Sequence, residues 1–598
     1  MRVARYAMAA VVLAVVAALL AGAAAPEAKQ PAAKAEPQPA QRTIRVVDVP
    51  LEGAIQERAQ LAIPFGPQPK LLRDFTGSIR KAADDETIEA LVIRLREPSL
   101  GFAKRQELMG AIGAFKASGK KVYAYIDSCT TPSYMLACAA DRIALAPAGM
   151  VVLTGIHGEA MFLKGLLDWA GIEGDFVASG KHKSAADMLT RESMSDDNRQ
   201  VINEYLDDVY DQLVAAIAKG RKLTAAQVRD AIDHGPYAPQ AARSRKLVDD
   251  VAYYDEFLAA IGRDLGGTVK VVKGYHHLGK KGPDLAQMNL FTFFASLQPK
   301  PAIPQTKHPK VVIVFASGMI APKEASLFGT ETINAKEMRD AFETARADKT
   351  VKAVVLRVDS PGGSALISDL IWREVGLTRK AGKPVIASMS DVAASGGYYI
   401  AMPCDAIVAQ PATVTGSIGV VGGKLSLGGL YEKIKINVET FDRGKNAGIF
   451  SDTRGFSDTE REAFKALLDD IYTTFVTKAA EGRGMDPAKM RALATGRIWT
   501  ARMALKEGLV DKLGGLKDAY DLAIEKAGLK PEDVQPVILP REKSVFEALF
   551  APMASQAVAF DPTRLPDAVR RRLPLLQVIE LFEHENVLAV MPYSIDVR

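Results

Sequence analysis

Two rhythms alternate along the chain. Short apolar, β-branched runs such as "AVVLRV" (353 to 358) and "PVIASM" (384 to 389) are separated by longer stretches in which apolar residues return every three or four positions. In "DTEREAFKALLDDIYTTFVTKAAEGRG" the residues Phe464, Leu467, Leu468, Ile471 and Phe475 keep that spacing, which predicts a helix with one apolar face. Strands separated by helices predict parallel βαβ units, hence an α/β fold. One stretch fits neither rhythm. "YAMAAVVLAVVAALLAGAAA", residues 6 to 25, carries no charge, and at about 1.5 Å per residue it is long enough to cross a hydrocarbon core of roughly 30 Å. It ends in Ala23, Ala24 and Ala25, small residues that also suit signal-peptidase cleavage, so a membrane anchor and a removed signal both stay open. Arg2 and Arg5 precede it, and the positive-inside rule then keeps them in the cytoplasm and exports everything after residue 25. Residues 26 to 42, rich in Ala, Pro, Gln and Lys, read as a tether.

The pattern repeats. "VYAYIDSCTTPSYMLACAADRIALAPAGM" from Val122 lies over "VIASMSDVAASGGYYIAMPCDAIVAQPATV" from Val385, with one extra residue in the later copy just before a shared aspartate. Beyond that point Asp127 meets Asp391, Tyr134 meets Tyr398, Asp141 meets Asp405 and Gly180 meets Gly444, each pair 264 positions apart. Upstream, "TIEALVIRLREPSLG" from Thr87 matches "TVKAVVLRVDSPGGS" from Thr350. Two homologous α/β domains are therefore expected over 43 to 270 and 308 to 535. A Gly/Pro-punctuated linker, 271 to 307, joins them, and an extension of unassigned role covers 536 to 598.

Comparing the copies exposes what the shared scaffold does not require. Ser395, Gly396 and Gly397 are replaced in the first copy by Thr131, Pro132 and Ser133, and the pair Gly362 and Gly363 of "DSPGGS" by Ser99 and Leu100. Conversely, Lys183 of "GKHK" stands where the second copy has Ala447. Lys181, by contrast, recurs as Lys445 and reads as an ordinary loop lysine. Ser395 precedes two glycines and an apolar helical run, so it is either a helix N-cap or a nucleophile. Asp391 and Asp405 recur in both copies and read as structural capping or turn residues. Asp359, which is Arg96 in the first copy, stays ambiguous. His182 becomes Asn446, and no histidine lies near the Ser-Gly-Gly or Pro-Gly-Gly motifs.

Composition adds exclusions. The 598 residues carry a formal charge of only +5, and no stretch combines clustered Lys/Arg with aromatics, so a nucleic-acid partner is not expected. Cys129, Cys138 and Cys404 lack metal-ligand spacing and read as small buried apolar residues.

The motifs "DSPGGS", "SDVAASGGYYIAMPCD", "TGSIGVVGG" (415 to 423) and "SGKHKSA" (179 to 185) together resemble the long, duplicated signal peptide peptidase form of the S49 serine peptidases. The resemblance spans about residues 43 to 535. It implies a tandem Clp/crotonase-type fold and a Ser-Lys dyad, with Lys183 from the first copy and Ser395 from the second. It further implies no cofactor or metal, a homo-oligomer (a tetramer) enclosing its sites, and cleaved signal peptides as substrates. With the export signal, the expected setting is the inner membrane, single-pass, with the catalytic domains in the periplasm.

The chemistry can be stated residue by residue. The amides of Gly396 and of Gly362 or Gly363 could form an oxyanion hole, since a Cβ there would obstruct substrate. Lys183 must be neutral to accept a proton, which requires burial to lower its pKa from the usual value of about 10.4. Ser417, Leu153 in the first copy, is a candidate to hold the lysine amine, or a plain turn serine. Two other classes remain at this stage: a catalytically silent assembly protein on the same scaffold, and acyl-CoA chemistry, which the crotonase-type fold also supports but which export disfavours.

Overall fold

The computed structural model describes residues 42–59, 61–62, 69–276, 302–322, 332–541, 543–544, 581, 585 and 587–591. The apolar run at 6 to 25, the tether and most of the linker lie outside the described residues. Within the described residues no helix is long and apolar enough to cross a membrane.

Each copy builds a mostly parallel sheet with the same strand order. In the first, Thr268–Val272, Thr43–Gln56, Ala90–Ser99, Lys121–Thr130, Arg142–Leu145 and Asp250–Val251 lie side by side. In the second, Gln535–Leu539, Lys310–Ser317, Val351–Ser360, Val385–Ala394, Ala406–Ala409 and Lys512–Leu513 repeat that order in parallel pairs. The second sheet thus takes its edge strand from residues up to Leu539, and the first from residues up to Val272. Both domains run past the boundaries expected at 535 and 270, because the closing strand pairs with the copy's own first strand.

The short apolar runs are strands buried on both faces, as parallel sheets require. Val312, Val314, Leu356, Val358, Ala387 and Met389 face one core. Their neighbours Val311, Ile313, Phe315, Ala353, Val355 and Ile386 face the other, which the helix Leu516–Lys526 covers. The predicted amphipathic stretch is the helix Asp458–Arg483, opened by a capping box in which Ser457 and Glu460 satisfy each other's amides. Its apolar face is narrower than its spacing suggests: Phe464, Leu468 and Phe475 are buried, but Leu467 is exposed.

Ties inside each copy recur in duplicate. Tyr134 donates to Leu247 O (2.6 Å) and Tyr398 to Leu509 O (3.0 Å). Asp141 accepts the Val122 amide and Asp405 the Val385 amide, each joining a strand start to a loop.

The copies are locked by contacts that have no such duplicate. Arg357, fully buried, donates to Glu57 and Glu107 of the first copy and to Ser388 and Ser390 of its own. Burial pushes the Glu57 carboxyl up, but the Arg357 and Lys104 charges more than reverse this, holding it below the usual carboxylate range. Asp391 accepts from the Gly101 and Lys104 amides, and so caps the first copy's helix Phe102–Ala117 from the other domain. Lys104 bridges Asp359 (2.7 Å) and Asp391 (3.3 Å). A third sheet also mixes the copies: Glu173–Ser179 pairs antiparallel with Val420–Ser426, which pairs in turn with Val587–Val590 and, through it, with Gly362–Ser364.

Candidate active site

Two strand pairings bring the candidate residues together. Ala394, the last residue before Ser395, pairs with Gly416, the residue before Ser417. Three residues later Val420 pairs with Ser179, four residues before Lys183. Backbone register alone therefore converges Ser395, Ser417 and Lys183.

The side chains meet there. Lys183 Nζ lies 2.6 Å from Ser395 Oγ, 2.9 Å from Ser417 O and 3.1 Å from Ser417 Oγ. All three residues are buried, and Lys183 forms no ion pair among the described residues. Its pKa is pushed well below the ordinary lysine value by burial, with no compensating carboxylate. A neutral amine has two N–H donors and one lone pair. With Ser417 O and Oγ as acceptors of those two donors, a neutral Lys183 would keep its lone pair for the Ser395 hydroxyl proton. The loop that carries the lysine is held across the copies: His182 N donates to Thr495 O (2.6 Å) and its ring Nδ1 lies 2.9 Å from Thr495 Oγ1. His182 is thus part of the support and has no contact with the serine. Lys181 instead reaches Asp197 on the surface.

Ser395 is held in an unusual conformation, φ 55° and ψ −113°, a region that glycine normally occupies and that costs another residue about 1–3 kcal/mol. Its amide donates to Gly416 O (2.7 Å). It opens the short helix Gly396–Ala401, yet its hydroxyl caps no helix amide. Ser417 is also forced to positive φ, 51°.

Gly362 and Gly396 meet in a space without room for side chains. A Cβ on Gly362 would stand 2.7 Å from Gly396 N, and the Gly362 φ of +101° excludes other residues as well. The Gly362 amide, however, donates to Ser360 Oγ (3.2 Å). It is therefore already engaged, so of that pair Gly363 is the remaining candidate donor beside Gly396, and Gly362 contributes by lacking a Cβ.

Asp359 and Asp391 do not approach the serine; they serve the interface between the copies, a role for which the sequence carried only the recurrence of Asp391. Cys129, Cys138 and Cys404 are free and buried. Among the described residues no group of three or more His, Cys, Asp or Glu is arranged to hold a metal.

The backbone of the Val587–Val590 strand runs through the same space. A Cβ on Gly362 would lie 2.1 Å from Ala589 O, and one on Gly396 3.1 Å from it.

Comparison with known proteins supplies the family. "Serine protease SPPA, chloroplastic" of Arabidopsis thaliana is 34% identical over 522 residues, covering 87% of this chain and 74% of the relative. "Protease 4" of Salmonella typhi is 29% identical over 523 residues, covering 85% and 79%. A solved ClpP1 structure from Listeria monocytogenes overlaps 35% of this chain and 93% of its own at 14% identity and a TM-score of 0.23. The description "Peptidase family S49" fits residues 114–265 and again 378–530, once in each copy. With the relatives covering most of its length and the family pattern present twice, the chain belongs to peptidase family S49, the serine peptidases that include SPPA and protease 4.

Proposed function

We propose that the chain is an endopeptidase in which Ser395 is the nucleophile and Lys183 the general base, with Ser417 orienting the lysine and the Gly363 and Gly396 amides receiving the oxyanion. The observation that carries this reading is the 2.6 Å approach of a buried, unpaired lysine amine to a serine hydroxyl held at a strained turn. Ser395 Oγ attacks a peptide carbonyl while its proton passes to Lys183 Nζ. The carbonyl oxygen, now negative, is held by the two amides, each donor contributing about 3 kcal/mol to the transition state. Lys183 then protonates the departing amine, and water, deprotonated by the same lysine, hydrolyses the acyl-enzyme.

The wider reading is a Clp/crotonase-type enzyme tethered to the inner membrane by residues 6 to 25, working in the periplasm as a homotetramer on cleaved signal peptides. The apolar cluster beside Lys183, with Ala185, Met188 and Leu189, supports an apolar peptide substrate. The test is direct. Ser395→Ala and Lys183→Ala abolish peptide hydrolysis with unchanged circular dichroism, and Lys183→Arg does not rescue, because a guanidinium stays protonated. Hydrolysis persisting in either alanine variant refutes the dyad.

A further inference from the structure

The extension beyond residue 541 contributes one strand that lies in the site and is part of neither copy. Val587–Val590 pairs antiparallel on one side with Gly362–Ser364, in the register Gly362 to Val590, Gly363 to Ala589 and Ser364 to Leu588. On the other side Leu588 pairs with Val421 and Val587 with Gly422. Its two flanking edges are thus the strand that carries Gly363 and the strand that begins three residues after Ser417. Removing it would leave two open edges one strand-width apart, a slot into which an extended peptide fits.

The strand occupies that slot as a substrate would. Met591 N donates to Pro361 O (2.9 Å). In an antiparallel ladder this bond pairs with a reciprocal one from the Gly363 amide to Ala589 O. The Ala589 carbonyl therefore stands where the oxyanion would form, crowding Gly362 and Gly396. The side chains alternate. Leu588 and Val590 enter the apolar cluster with Ala185, Met188 and Leu189, next to Lys183, while Ala589 turns into the core of the second copy. The segment carries no charge and all three of these residues are buried.

We infer that Val587–Val590 is a built-in occupant of the substrate slot, an autoinhibitory strand that presents Ala589 at the acyl position and must leave before a peptide can bind. The inference rests on the Ser395–Lys183 reading of the site. A tethered strand competes at high effective concentration, so the free enzyme is open only for a fraction of the time and apparent affinity for peptides falls by that fraction. The same contacts define the substrate: an extended segment with a small residue before the scissile bond and aliphatic residues on either side.

The test uses the full chain with Leu588→Glu and Val590→Glu together, which should expel the strand from its apolar seat. Labelling of Ser395 by a fluorophosphonate and hydrolysis of an apolar peptide are expected to rise about tenfold, chiefly through a lower KM. A synthetic peptide of residues 584–593 should inhibit the released variant competitively, and the same peptide with glutamate at 588 should not. Water added across the Ala589–Val590 bond in the unaltered protein, but not in Ser395→Ala, also supports this docking. The inference is overturned if the double variant labels no faster and the peptide does not compete. If that happens while Ser395→Ala still abolishes hydrolysis, the dyad stands and only the occupant falls; hydrolysis surviving Ser395→Ala removes the dyad itself.

Discussion

The two copies share a scaffold and divide its uses. Where the second has Ser395 at a strained turn beside Gly396, the first has Thr131, whose hydroxyl is consumed by the Thr154 and Gly155 amides and by Val152 O. Where the first has Lys183 in the interior, the second has Ala447, exposed. The same split governs the strands. Glu173–Ser179 of the first copy pairs with Val420–Ser426 of the second, but the counterparts under the 264-residue offset, 437–443 and 156–162, form no strand and are largely exposed. The pair Val177 and Phe441 shows the consequence: Val177 packs on the core, and Phe441 is 81% exposed. A duplicated chain need not build two sites. It pairs Glu173–Ser179 with Val420–Ser426 at the junction between its copies and leaves the matching segments at its two ends largely exposed.

The sharpest break of this comparison moves a group between copies. Ser395→Ala and Lys183→Ala should each lower kcat by about 10⁴-fold or more, while Thr131→Ala, at the position matching Ser395, and Lys445→Ala, at the position matching Lys181, stay within about twofold of the unaltered enzyme, since neither touches the reacting atoms. Restoring a lysine at the equivalent place, Ala447→Lys in a Lys183→Ala background, should recover nothing, because residue 447 is exposed and an exposed amine keeps its proton at neutral pH. Steady-state kinetics on a peptide decides all five variants.

Next in size is the interface between copies. Arg357 and Arg94 occupy equivalent strands, yet Arg94 pairs with one carboxylate, Asp48, lies over the Tyr254 ring and is partly exposed, whereas Arg357 is sealed among two carboxylates. Arg357→Met leaves Glu57 and Glu107 buried without their cation and should cost about 3–5 kcal/mol. Arg94→Met strips the cation from one buried carboxylate, Asp48, instead of two, and should cost less, about 1–3 kcal/mol. Denaturant titration of both variants reads the difference; equal losses would mean that the ion cluster does not lock the copies.

A third prediction concerns the exposed ends. Phe441, Ile436 and Val438 of the second copy, with Met161 of the first, are exposed where their counterparts Val177, Ile172, Gly174 and Leu425 are half-buried inside the chain. In a ring of protomers these ends would meet head to tail and reuse the internal pairing. Phe441→Lys should then weaken assembly by about 2 kcal/mol or more, seen as smaller species in sedimentation, while leaving the fold intact. An unchanged sedimentation profile would detach the exposed face from oligomerisation.

The sequence made some of this legible and not the rest, for physical reasons. Duplication was readable because it compares residues at fixed offset, and the complementary loss of Ser395 and Lys183 stood out against that background. The α/β class followed from local apolar spacing. What stayed hidden depends on contacts between distant segments. Arg357 sits inside the apolar run "AVVLRV", and nothing local reveals that its partners are Glu57 and Glu107, 300 and 250 residues upstream. Asp391 was readable as a cap, but not as the cap of a helix in the other copy. That Gly362 spends its amide on Ser360 is a matter of backbone direction. The strand Val587–Val590 is four residues of unremarkable aliphatic composition, and only its register between Gly362–Ser364 and Val420–Ser426 gives it meaning.

The smallest effect separates what Lys183 does for chemistry from what it does for the fold. An ordinary lysine in the unfolded chain holds its proton up to about pH 10.4. Burial has pushed the folded-state pKa well below that, without a carboxylate to offset the cost. Between the two values the unfolded state binds the additional proton, so stability rises with pH across that window. Below the depressed pKa the penalty is present in full, and above about pH 10.4 it vanishes. Lys183→Met removes the penalty while keeping the volume, and it forfeits the two bonds to Ser417, so the net gain near neutral pH should be about 1 kcal/mol. That gain should shrink as the pH is raised, and the matching Ala447→Met, on an exposed surface, should show neither the gain nor its pH dependence. Thermal denaturation of both variants at several pH values measures it. A destabilised Lys183→Met at neutral pH would mean that the lysine is charged in the folded enzyme, and that its copy of the scaffold shelters an ammonium instead of a base.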